Sequence, residues 1–166
     1  MATFELLISG ATIVSVDPRI GVLEQGDILI REGVIAEVAP DLADRAAPDA
    51  NVIDARGCIA IPGFVDSHVH AWEGQLRGTG PMVDFGEYLG LTAFGYGPAY
   101  RPEDNYAGTL ATALRALDAG ITTIVDNGHN ARTHDHAAAS VEALRDSGIR
   151  AVHAVGSPFG SATAVA

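Results

Sequence analysis

His68 and His70 stand two residues apart at the end of Phe64-Val65-Asp66-Ser67-His68-Val69-His70, a run that begins apolar and ends polar and reads as a β-strand. On a strand, side chains at i and i+2 project from the same face. Two imidazoles placed this way can converge on one metal ion from a rigid support. Asp66 shares the face and could orient a ligand imidazole through its second nitrogen. Imidazole suits Zn, Fe and other borderline divalent ions. A metal with an open position lowers the pKa of bound water toward about 7, which makes hydroxide available at neutral pH. His-x-His spacing alone also occurs in structural and surface pairs, so the surrounding elements decide between the readings.

Those elements form two regions. Residues 1–61 read as a small β domain. Phe4–Ile8 and Ala11–Val16 flank Ser9-Gly10, a hairpin signal, and Asp27–Ile30 and Val34–Val38 flank a second turn at Glu32-Gly33. Residues 40–50 form a polar connector rich in Ala and Pro, and Asn51–Asp54 is a further short strand. From residue 62 to 166 the rhythm becomes strand–helix–strand–helix–strand. Pro102–Ala119 is a helix with Pro102, Glu103 and Asp104 in its first turn and an apolar stripe of Tyr106, Leu110, Leu114 and Leu117. Ile121–Asp126 is a strand, Asp135–Ser147 a helix with Val141 and Leu144 inward, and Ile149–Val155 a third strand. Such alternation implies right-handed crossovers and a parallel sheet. At roughly thirty residues per βαβ step, this length holds about three strands, not the eight of a closed barrel. His68 and His70 then lie at the C-terminal end of the first strand, where β/α barrels place their active sites.

The sequence at this point resembles a known family. Val52-Ile53-Asp54-Ala55-Arg56-Gly57, followed by Ile61-Pro62-Gly63-Phe64-Val65-Asp66-Ser67-His68-Val69-His70, is similar to the entry segment of the amidohydrolase superfamily. Gly26–Ile35, Leu117–Asp126 and Ser147–Val152 extend the resemblance over essentially the whole chain, and His70–Gly78 looks most like the chlorohydrolase and cytosine-deaminase-like branch. The resemblance implies an α/β fold: a small β-sandwich (1–61) followed by the N-terminal part of a (β/α)8 TIM-like barrel, with about three β/α strands in 62–166. It implies that His68 and His70 are metal ligands for Zn (or Fe). It implies a metal-dependent hydrolase or deaminase acting on C–N or C–halogen bonds of a small heterocyclic substrate. The further ligands and the general acid/base belong to later strands, so no catalytic residue is assigned, and the chain reads as an incomplete barrel inactive by itself. A chain without Lys cannot supply the modified Lys that bridges two metals in some branches.

Residues 71–101 contain seven glycines and show no clear period. They also hold Trp72, Phe85, Tyr88, Phe94, Tyr96 and Tyr100, an aromatic set that could wall a ligand pocket or pack beneath the loop. Trp72, two residues beyond His70, is the favoured pocket residue. Gln75 and Arg77 could bind substrate polar groups or serve the surface. His129, just past the second strand, could contact substrate or cap a helix. His134 and His136 repeat the His-x-His spacing at a helix start, where i and i+2 diverge. His153 reads as a core residue, as does Cys58, the only cysteine, which lies in an apolar run.

The net charge of −11, with every basic residue an Arg, disfavours nucleic acid. No apolar run approaches the roughly 20 residues of a membrane helix. No signal-peptide n-region precedes Phe4, so the expected location is cytoplasmic. The expected partner is a small-molecule substrate, with a homo-oligomer or a complementing chain possible because a third strand would leave an open edge. Rival readings are a non-catalytic remnant and a small-molecule binding module.

Overall fold

The computed structural model describes residues 4–159 and divides the chain into two units, Met1–Pro62 and Gly63–Ala166. The sequence reading placed this junction one residue earlier.

The first unit is built on β1 (Glu5–Val14). It pairs antiparallel with β2 (Val22–Arg31), which pairs antiparallel with β3 (Val34–Ala39). On its other side β1 pairs in parallel with β4 (Asn51–Asp54) and β5 (Ile59–Ala60). Among the described residues these strands form one mixed sheet of five strands. Ser9-Gly10, expected to close a hairpin, lies inside β1 instead. Gly10 takes φ +80 at a register shift between Ile8 and Ala11, so the residues make a bulge, not a turn. The cause is Asp27 on the neighbouring strand, whose Oδ1 accepts hydrogen bonds from Gly10 N at 2.8 Å and Ser9 Oγ at 2.9 Å. The β2–β3 hairpin does form at Glu32-Gly33, where both residues have positive φ, as a right-twisted two-residue turn requires.

Two buried carboxylates tie the polar connector to this sheet. Asp27 Oδ2 accepts from Leu42 N at 2.9 Å, and Glu5 Oε1 accepts from Ala47 N at 2.6 Å while its second oxygen accepts from Arg31. Leu42 is thereby drawn onto Leu7 and Leu29 in the core. Cys58 is exposed, contrary to the core role expected of it. The turn closed by Cys58 N on Ala55 O, with Gly57 at φ +80, carries it outward while Ala55 is buried.

The second unit is a parallel sheet of β6 (Phe64–Val69), β7 (Ile121–Gly128) and β8 (Arg150–Val155), in that order. Its connections are helical. Residues 71–101, expected to lack regular structure, contain a 3-10 turn (Ala71–Leu76), α1 (Phe85–Leu91) and a π turn (Thr92–Tyr96). An Asp84–Glu87 capping box starts α1, each side chain bonding the other's backbone N–H. The longer helices are α2 (Pro102–Asp118) and α3 (His134–Ser147), the latter capped by Thr133 and stopped by Gly148 at φ +75. Ile124 of β7 packs with Ala113 of α2, Leu144 of α3 and Ile149.

The expected apolar stripe of α2 is only in part its inward face: Leu117 packs against the core around Ile124, but the fully buried positions are others. Asn105, Gly108, Thr109 and Ala113 are buried, whereas Leu114 is 51% exposed. Small residues win this face because α2 lies backbone-to-backbone against the Ala71–Leu76 turn. A Cβ on Gly108 would come within 2.0 Å of the Trp72 carbonyl oxygen, and one on Gly74 within 2.2 Å of the Gly108 carbonyl oxygen. No described helix is long and apolar enough to cross a membrane.

Two stability outcomes follow from this packing. Gly108→Ala forces backbone apart and is expected to lower unfolding free energy by about 1–3 kcal/mol. Gly90→Ala, whose added Cβ meets nothing, leaves it unchanged or slightly higher; urea denaturation compares the two. Burial raises the Asp27 carboxyl pKa, but its three hydrogen bonds outweigh burial and hold it below the ordinary 3.8. Its stabilisation is therefore complete above the ordinary value and is lost as pH falls through the lowered one. Asp27→Asn should cost about 1–3 kcal/mol at pH 7 and flatten the acid limb of stability against pH.

Candidate active site

The parallel pairing of β6 with β7 brings residues 57–59 positions apart in sequence into contact. His70 Nδ1 lies 3.0 Å from the Asn127 carbonyl oxygen. A carbonyl only accepts, so the ring proton sits on Nδ1 and the Nε2 lone pair is free. The last turn of β6 is irregular, with a register shift between Asp66 and Val69, and this frees the His68 backbone N–H from the sheet. Asp66 Oδ1 accepts that N–H at 3.0 Å. Asp66 thus holds the strand end and not, as expected, an imidazole nitrogen. His68 is exposed, with Nδ1 3.3 Å from Asn127 Nδ2. That amide donates to Nδ1 as it stands; turned over, it would accept from Nδ1 and leave Nε2 free.

The His68 and His70 ring centres are 5.1 Å apart. Two imidazoles on one tetrahedral ion, with metal–nitrogen distances of about 2.1 Å, have centres roughly 5 Å apart. The donor chemistry and spacing therefore fit two ligands of one ion. Two imidazoles are half of a four-donor set, and among the described residues no group of three or more His, Cys, Asp or Glu could hold a metal.

Both rings open on a cavity of about 420 Å³, walled also by Glu73, Tyr88, Asn127 and His129. The His129 ring centre is 4.3 Å from that of His70. Burial first, and then the neighbouring His70, push the His129 pKa down to about 4, so the ring is neutral at pH 7. The Trp72 indole N–H donates to its Nε2 at 3.4 Å. Glu73, three residues beyond His70, accepts the Tyr88 hydroxyl at 2.6 Å through Oε2, and burial pushes its carboxyl pKa up.

Of the residues singled out in the sequence, the structure gathers His68, His70 and His129 on this cavity. Trp72 is 1% exposed and stands behind the wall, since its N–H needs the His129 acceptor and its ring packs on Tyr100. Gln75 lies away from the cavity with its amide donating to the Asp104 carbonyl, and Arg77 borders a neighbouring groove with Leu76 and Val83. His134 is exposed, while His136 is buried against Thr133 and the Tyr100 carbonyl. His153, 7% exposed, bonds Asp126 at 2.7 Å. Asp126 also accepts Ala71 N at 3.0 Å, which anchors the residue after His70. Phe85 and Tyr88, from the aromatic set that could wall a pocket or pack beneath the loop, also line the cavity, whereas sequence reasoning missed Asn127, Asp126 and Glu73. Extending the second strand by two residues would have exposed Asn127, because strand alternation then sets it opposite the buried Asp126 and Gly128. Tyr88 meets Glu73 only through tertiary folding.

Comparison with known proteins identifies the family. The profile of the Amidohydrolase family matches residues 59–162. The 5′-deoxyadenosine deaminase of Methanosarcina acetivorans is 30% identical over 122 residues, covering 74% of this chain and 28% of that protein. The 5-methylthioadenosine/S-adenosylhomocysteine deaminase of Symbiobacterium thermophilum is 32% identical over 151 residues, covering 91% of this chain and 33% of that protein. In three dimensions the chain is similar to the atrazine chlorohydrolase of Arthrobacter aurescens TC1 complexed with zinc. The TM-score is 0.74 at 32% identity, over 88% of this chain and 34% of that one. The chain thus spans about a third of the length of these relatives. With a profile match over more than half its length, the chain belongs to the amidohydrolase family.

Proposed function

We propose that this chain supplies the opening β/α units of a metal-dependent hydrolase. The enzyme would act on a C–N or C–halogen bond of a small heterocyclic substrate. The observation that carries the reading is the His68–His70 pair on the cavity wall, with His70 Nδ1 committed to the Asn127 carbonyl. Two deaminases of adenine nucleosides and a zinc-complexed chlorohydrolase among the similar proteins support the substrate class and zinc.

His70 would hold the ion through Nε2, and His68 would do so with the Asn127 amide turned over so that it accepts from Nδ1. When bound, a divalent metal supplies a Lewis acid that lowers the pKa of water toward about 7. Asn127 fixes the orientation of both rings, by its carbonyl at His70 and by its amide at His68. His129 remains neutral beside His70 and adds no repulsive charge to the site. Asp126, 1% exposed, pins Ala71 and so limits the freedom of His70.

The remaining donors and the proton-transfer group would come from further strands. The outer edges of β6 and β8 are unpaired among the described residues, and Val65 and Val152 are 65% and 59% exposed. Such edges and apolar strand residues require cover. A completed (β/α)8 barrel provides it, whether from one longer polypeptide or from a complementing chain. The first unit would then be part of the small β-sandwich that precedes the barrel.

Zinc titration of the full chain by calorimetry tests the ligand assignment. The wild type should bind one equivalent at least tenfold more tightly than His68→Ala/His70→Ala, the order of loss seen when a metal site is disturbed. His134→Ala, altering an exposed His away from the cavity, should leave the affinity unchanged. Equal zinc binding by the wild type and the double variant contradicts the proposal.

A further inference from the structure

Glu73 has a hydrogen-bonding capacity that the protein does not use. Its Oε2 accepts from the Tyr88 hydroxyl, but its Oε1 is buried with no hydrogen-bond partner. His129 Nε2 lies 3.9 Å away across the gap, and that nitrogen already accepts the Trp72 indole N–H. At 3.9 Å the two atoms are not hydrogen-bonded, and Oε1 has no partner. A buried carboxylate oxygen left unmatched costs stability, and such a group in a native structure calls for a cause. The side chain keeps 16% of its surface exposed and forms part of the wall of the cavity that holds His68 and His70. The terminal torsion of Glu is broad, so the carboxylate can turn to meet a donor that enters that cavity.

We propose that Glu73 is a substrate-binding residue whose Oε1 accepts a hydrogen bond from an N–H or O–H donor of the ligand. This inference rests on the hydrolase reading above and deepens it by naming a specificity contact. The surroundings match a planar ligand carrying a donor. Phe85, Leu89 and Phe159 supply apolar wall on the same cavity, and the Tyr88 hydroxyl occupies Oε2, which leaves Oε1 as the oxygen on offer. For an adenine nucleoside, the donor is either the exocyclic amine or a ribose hydroxyl, and the two are separable by experiment.

Glu73→Gln inverts the contact while keeping its shape. The Tyr88 hydroxyl retains the amide oxygen as its acceptor, which turns the NH2 toward the cavity, where it opposes a ligand donor. Calorimetric affinities would be measured for the zinc-loaded full chain, wild type and variant, with three probes. These are 5′-deoxyadenosine, its 2′,3′-dideoxy analogue lacking the hydroxyls, and its 6-deamino analogue lacking the amine. The variant should bind 5′-deoxyadenosine at least tenfold more weakly, with zinc affinity unchanged. One analogue should show the same loss and the other none, which identifies the donor. Undiminished binding of 5′-deoxyadenosine by the variant overturns the proposal while leaving the hydrolase reading intact. Equal losses on both analogues overturn it too, since they mark a general disturbance of the wall. A wild type that binds none of the probes overturns the nucleoside-type hydrolase reading and this inference together.

Discussion

One hydrogen bond organises the candidate site: the Nδ1–H of His70 to the main-chain carbonyl of Asn127. It sets the tautomer, aims the ring and joins the ends of two parallel strands. Because the acceptor is backbone, its position comes from sheet register and not from a side-chain rotamer. The pairing of Val69 with Asp126 therefore decides where His70 points. The bulged end of β6 does the complementary work for His68, whose N–H leaves the ladder and is taken by Asp66. Two histidines that strand periodicity alone would render equivalent are thus held differently, one tightly and half-buried, the other exposed.

Behind the sheet, close packing makes this geometry rigid. Gly74 and Gly108 allow the turn after His70 to lie directly on α2, and Thr112 and Arg115 of that helix donate to the Ala71 and Gly74 carbonyls. Asp126 accepts from Ala71 N and from His153, joining the turn to β8. Gly128 leaves room for the His153 ring, which a Cβ there would meet at 2.4 Å. Every strand of the second unit therefore contributes to holding the short turn that follows the histidine pair.

Much of this was legible in the sequence, and the exceptions have physical causes. The β/α alternation, the helix ends and the strand carrying His68 and His70 are local signals, governed by periodicity, Pro and Gly. The same locality misled at Ser9-Gly10, where a carboxylate 17 residues away turns a hairpin signature into a bulge. It misled on α2, where the tight approach of neighbouring backbone buries small residues and leaves Leu114 outside. Cys58 sits in an apolar run yet is carried out by a turn. Within the site, the histidines were visible because their chemistry is rare. Asn127 and Glu73 were not, because common residue types acquire a role only through partners 57 and 15 positions away.

The chain contains a single tryptophan, and its indole nitrogen is bonded to the ring that packs against His70. Its fluorescence therefore originates one imidazole away from the candidate ligand pair. Emission from Trp72 is an intrinsic optical reporter of events at His129, free of background from any second indole in this chain.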